Sequence, residues 1–159
     1  MSRERMKKIG KALVIATFVL YLLVLILLLF ARTGYWQNLS WTEYVSQNSN
    51  FVPFSTIAQY FKLLFTGGIN VSIPLTNLAG NLFMMAPMGL YLPYLFKRAR
   101  RPQVFFLTML CLVLSVELAQ TCLRIGSLDI DDVILNLVGA FFGYGVGRLR
   151  WVRRFVYAE

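Results

Sequence analysis

The chain has 159 residues, of which 58% are hydrophobic and only 14% charged, yet 16 Lys and Arg against 7 Asp and Glu leave a formal charge of +9. A soluble domain usually carries about 25% charged residues, and disorder requires low hydrophobicity, so neither description fits. There is no His, which excludes Ser-His-Asp and Cys-His catalysis and His-ligated metals.

The length allows one domain, read as a single membrane domain over 1–159. Residues 12–31 carry no charge until Arg32, and about 20 apolar residues rise about 30 Å as a helix, the thickness of a bilayer core. This run is longer than the roughly 7–15 residues of a signal-peptide core. It ends at Phe30-Ala31-Arg32-Thr33 without a small-x-small site, so it reads as a retained signal anchor.

An outer loop, 32–74, follows. Its first half is polar. Over about 54–66, Phe54, Ile57, Ala58, Phe61, Leu64 and Phe65 recur at helical spacing with Ser55, Gln59 and Lys62 opposite. That pattern predicts a short amphipathic helix, either lying in the membrane interface or packed over the other helices. Gly67-Gly68 reads as a turn.

Three further spans are expected at 75–96, 104–123 and 130–149. Lipid-spanning segments satisfy their own backbone hydrogen bonds, so helices are the default. Pro87 and Pro93 should kink the second span, beside Gly89. Cys111 and Cys122 share the third and read as small buried apolar residues.

The cations follow this layout. Five precede span one (Arg3, Arg5, Lys7, Lys8, Lys11), four separate spans two and three (Lys97, Arg98, Arg100, Arg101), and four follow span four (Arg148, Arg150, Arg153, Arg154). These 13 of 16 fall on one side of a four-pass chain with both termini cytoplasmic. Tyr35, Trp36 and Trp41 beyond span one suit the outer interface. The predicted fold is therefore an all-α integral membrane protein, a four-helix transmembrane bundle in the cell membrane. Its charge reports orientation, and nucleic acid is not an expected partner.

With that orientation, the intramembrane polar groups gather toward the outside. Asn77 and Asn81 share a face. Glu117 and Gln120 lie at the outer end of span three. A tight turn over Arg124–Leu128 then folds span four back against it. Asp129, Asp132, Asn136 and Gly139 follow a 3-4-3 spacing on one face. Asp129 also suits an N-cap. Asp131 falls off that face and is expected to turn to water or head groups. Glu117 is the hardest to explain as structure alone, because an intramembrane carboxylate costs several kcal/mol unless paired, hydrated or protonated. Arg124, two turns on, has the same face available and would partly neutralise it. Gly139, Gly143 and Gly147 recur every four residues, which suits close helix packing within the bundle or, less favourably, a homo-oligomer face.

Together these motifs resemble the VanZ-like family. Asn50-Phe51-Val52-Pro53-Phe54 is similar to its Asn-x-x-Pro-Phe. Asn81, Pro87 and Gly89 are similar to Asn-x5-Pro-x-Gly. Glu117 and Gln120 are similar to Glu-x-x-Gln, and Asp129-Ile130-x-Asp132, Asn136 and Gly139 are similar to Asp-Ile-x-Asp followed by Asn-x-x-Gly. Gly126 stands where many members have Arg, and Arg124 is a candidate substitute. The resemblance implies a small bacterial integral membrane protein of the cell envelope, its founding member associated with reduced susceptibility to teicoplanin-type lipoglycopeptides. Three functions stay open. The first is a non-catalytic protein that binds a lipid, a lipid-linked cell-wall precursor or a glycopeptide through Glu117, Gln120, Arg124, Asp129, Asp132, Asn136, Asn77 and Asn81, with no metal and no cofactor. The second is a membrane enzyme using carboxylate-bound Mg²⁺ or Ca²⁺. The third is a small proton-coupled transporter relaying through Glu117.

Overall fold

A computed structural model of the chain describes residues 3–31, 38–66 and 70–152. Gly67 and Gly68, Tyr35 and Trp36, Arg32, Arg153 and Arg154 lie outside the described residues. The chain divides into two units, Met1–Thr33 and Gly34–Glu159.

The first unit is one helix, α1 (Arg3–Phe30, 28 residues). It starts well before the apolar run, so the basic segment at 5–11 is helical too. Leu20, Leu23, Leu27 and Leu28 are exposed along it, as suits a helix whose solvent is lipid. Thr17 Oγ1 donates back to the Leu13 and Val14 carbonyls at 3.1 and 3.0 Å, so this hydroxyl is matched within the helix.

The second unit is described from Asn38. A short helix, α2 (Trp41–Gln47), is opened by a capping box in which Ser40 and Glu43 exchange hydrogen bonds. The Ser40 hydroxyl and backbone N–H donate to the Glu43 carboxyl at 2.6 and 3.0 Å, which holds it below its usual range. Then come β1 (Ser49–Asn50), α3 (Ser55–Thr66), α4 (Ser72–Met84), α5 (Met88–Leu95), a 3₁₀ turn (Lys97–Arg100), α6 (Pro102–Cys122), β2 (Leu128–Asp129) and α7 (Ile130–Arg148). The helix α3 packs on α4 and α7.

Among the described residues, three helices are long and apolar enough to cross a membrane: α1, α6 and α7. The segment 75–96 departs from the expected kinked helix. The chain turns at 85–87 and separates α4 from α5. Pro87 has no N–H to continue the α4 ladder, and it opens the next helix instead, while Pro93 is accommodated inside α5.

The helix α7 is the centre of the unit, packed by α4, α5 and α6. Its glycines allow this. A Cβ on Gly139 would overlap the Leu82 carbonyl, one on Gly143 the Ala86 carbonyl, and one on Gly89 the α7 backbone at Ala140 and Tyr144. Gly147 is buried on the same helix. Gly89, Gly139 and Gly143 serve contact within the chain, backbone against backbone. Beside them Phe105 stacks on Tyr144 at 4.5 Å and meets Phe141 edge-on at 5.3 Å. Met85, Met88, Met109, Val113 and Ala140 complete the core. Cys111 and Cys122 are exposed on α6. They fall outside this packed face, which corrects the expectation that they are buried.

Gly143→Ala is expected to destabilise the purified protein by about 1–3 kcal/mol, because the carbonyl it meets belongs to a packed backbone. Gly145 has nothing within 4 Å of its added Cβ, so Gly145→Ala should be neutral or slightly stabilising. Thermal unfolding in detergent checks the pair.

Candidate functional site

The α6–α7 corner organises the polar residues. The helix α6 ends with Leu123 as C-cap. Arg124 takes a left-handed conformation, φ 55°, while Arg124 N and Ile125 N bond the Thr121 and Gln120 carbonyls at 3.0 and 3.1 Å. This is a Schellman closure, with Arg where Gly is usual. It corrects the reading of Arg124 as a neighbour of Glu117. The helix ends before reaching it, so a two-turn face does not exist. Its guanidinium donates to the Leu39 carbonyl at 2.7 Å and lies over the Trp41 ring at 5.4 Å.

The outer segment 38–66 is fastened onto this corner. The Tyr44 hydroxyl donates to the Gly126 carbonyl. Leu128 N donates to the Asn48 carbonyl at 2.9 Å. Then β1 and β2 pair in parallel, Ser49 with Leu128 and Asn50 with Asp129. Sequence reasoning missed all of this, since a two-residue parallel pairing leaves no periodic pattern to find.

Each acid at the start of α7 has its own task. Asp129 caps α7, accepting from Asp131 N at 2.9 Å. Its carboxylate also accepts from Asn50 Nδ2 at 3.1 Å and Thr56 Oγ1 at 2.6 Å. Asp131 is fully buried and accepts from the backbone N–H groups of Phe54 at 2.5 Å and Ile57 at 3.0 Å. The expectation that Asp131 turns to water or head groups is therefore overturned. It receives the start of α3, where backbone donors lack intrahelical partners and the helix dipole favours an anion. Phe54 adopts φ 64° there, an unfavourable conformation for a bulky residue, and its N–H is the one that meets Asp131. Asp132 accepts from Asn81 Nδ2 on α4.

The remaining predicted residues divide. Asn136 Nδ2 donates to the Asp132 carbonyl at 2.8 Å. Asn77 turns instead to α3, donating to the Tyr60 hydroxyl at 3.2 Å. Gln120 and Thr121 are buried at the end of α6, and Gly126 folds against the Gln120 side chain. Glu117 is 4% exposed. The charged groups that act on it are Asp132 and Asp129, and its carboxyl meets the Asp129 backbone N–H. Among the described residues, two buried oxygens in this region have no hydrogen-bond partner: Glu117 Oε2 and Asn136 Oδ1. A buried unmatched acceptor costs about 1–3 kcal/mol, more when charged. Among the described residues, no three His, Cys, Asp or Glu side chains converge closely enough to hold a metal ion.

In a family comparison the VanZ/LLP1 model matches residues 18–151. The chain belongs to the VanZ/LLP1 family. It is also similar to "Protein VanZ" of Enterococcus faecium, 31% identical over 135 residues that cover 84% of this chain and 73% of that protein. No solved structure matches. Every member of the polar cluster lies inside the VanZ/LLP1 match, as do both partners in each hydrogen bond that fastens 38–66 to the α6–α7 corner.

Proposed function

We propose that this VanZ/LLP1 protein is a non-catalytic, four-pass protein of the bacterial cell membrane. In this reading it binds an amphiphilic envelope ligand, either a lipid-linked precursor or a lipoglycopeptide, at the outer end of α6 and α7, and so lowers susceptibility to teicoplanin. Both termini are cytoplasmic, with α1, the α4–α5 pair, α6 and α7 as the four passes of a bundle. The α3 helix lies in the outer interface, with Phe54, Phe61 and Phe65, all exposed, toward lipid. The distribution of cations supports the orientation.

The observation that carries the ligand reading is the pair of buried oxygens, Glu117 Oε2 and Asn136 Oδ1, that no described residue matches. A stable fold pairs such groups. A ligand that brings hydrogen-bond donors or a positive charge satisfies both and relieves the gathering of Glu117 with Asp132 and Asp129. The enzyme reading is weaker. Asp129 and Asp132 are already engaged by Asn50, Thr56 and Asn81, and the described residues hold no metal-binding group.

The test is teicoplanin susceptibility in a sensitive host expressing the wild type, Glu117→Ala or Asp132→Ala, with each protein's membrane level measured. Wild type should lower susceptibility and both variants should return it to the host's value at equal membrane level. Full protection from either variant would sink this site.

A further inference from the structure

The basic runs at 97–101 and 148–150 are 47 or more positions apart in the chain, yet the fold clamps them together. Arg148 Nη2 donates to the Arg100 carbonyl at 3.0 Å and to the Tyr144 hydroxyl at 2.8 Å. The Tyr144 hydroxyl donates to the same carbonyl at 2.6 Å. Arg148 also lies over the Tyr144 ring, 4.5 Å from its centre. Arg100 Nε holds the other side of the turn, donating to the Pro93 carbonyl at 3.1 Å. The 3₁₀ turn, the start of α6 and the end of α7 therefore share one corner. Lys97, Arg98, Arg101, Arg148 and Arg150 are exposed there, and neither run contains an acid.

Like charges gathered this closely repel one another, and an anion bound among them relieves that repulsion. The corner has two further features. The 21-residue α6 starts at Pro102 with Arg101 as its N-cap, and no side chain caps it. Its first-turn N–H groups and dipole therefore add to the positive field. Exposed Phe96, Leu149 and Trp151 flank the cations. A soluble anion gains nothing from these, whereas an anion carrying acyl chains does.

We propose that this corner is a binding site for the phosphate of an anionic phospholipid. Arg98 and Arg101 supply charged, forked donors beside the α6 N-terminus, and Arg148 holds the turn in place. The site is separate from the Glu117 region and does not depend on the function proposed for it.

The test is native mass spectrometry of the purified full chain, titrated with equimolar phosphatidylglycerol and phosphatidylcholine. Wild type should retain phosphatidylglycerol preferentially. Arg98→Gln/Arg101→Gln should weaken that retention about tenfold or more, since each cation near a membrane surface contributes substantially to anionic-lipid attraction. Lys7→Gln/Lys8→Gln, which removes the same two charges from exposed positions of α1, should leave it unchanged. Thermal unfolding confirms that each variant is folded. If the Arg98/Arg101 variant is not, exposed Arg150→Gln replaces it. The proposal is overturned if wild type shows no preference, if both double variants lose it equally, or if inorganic phosphate displaces the lipid as readily as added phosphatidylglycerol does.

Discussion

Glu117→Gln should make the purified protein more stable and the cell unprotected. The two effects have one cause. Glu117 is buried, with Asp132 and Asp129 as its charged neighbours, and its Oε2 has no partner. Gln keeps the shape, keeps an acceptor for the Asp129 N–H, takes away the ionisable group and puts a donor beside the Asn136 region's unmatched oxygen. Relief of that kind is on the order of 1–3 kcal/mol, a rise of several degrees in unfolding temperature for a chain of this size. Function should fall because the ligand loses the carboxyl that it meets. A structural anchor behaves oppositely: removing it lowers stability, and function falls only as the protein is lost. Thermal unfolding and teicoplanin susceptibility, measured on the same variant, separate the two.

The second large effect is expected at Asp131. Asp131→Ala should release the start of α3 and cost about 3–5 kcal/mol. It removes two charge-assisted hydrogen bonds, to Phe54 N and Ile57 N, each worth about 1.5–3 kcal/mol. It also leaves Phe54 in an unfavourable conformation with nothing to hold it there. The α4–α7 packing around Gly139 and Gly143 does not involve Asp131 and should survive. Limited proteolysis should therefore cut first within 49–66, with α6 and α7 protected. Asp131→Asn, which keeps one acceptor oxygen, should fall between. Equal protease resistance in wild type and Asp131→Ala would contradict the fastening described here.

Local rules reached some of this from the sequence. Asp129 as the cap of α7 follows from an acid placed before an apolar helical run. The apolar stretches that become α1, α6 and α7 are set by length and composition. The close approach at Gly139 and Gly143 follows from their spacing, although their partners, the Leu82 and Ala86 carbonyls, do not. What failed depended on contacts distant in sequence or on backbone conformation. Helical periodicity gives Asp131 no buried face, whereas its partners come from a segment about 75 residues earlier. Helical spacing alone puts Arg124 on the face of Glu117, whereas the chain turns after Leu123 through a left-handed residue that is not glycine. The polar segment after Asn38 read as loop. Its order comes from Tyr44, Asn48 and Asn50 meeting Gly126, Leu128 and Asp129, and no single-sequence pattern encodes such pairings. The orphaned Glu117 and Asn136 oxygens are likewise visible only once every neighbour has been placed.

The most direct test of the Glu117 site is native mass spectrometry of the protein gently extracted from its own membranes, wild type beside Glu117→Gln. The account predicts a bound amphiphile on the wild type that is absent from Glu117→Gln, while anionic phospholipid held at the Arg98 and Arg101 corner persists on both. An identical set of adducts on the two proteins, or a wild type carrying none beyond that phospholipid, would contradict it.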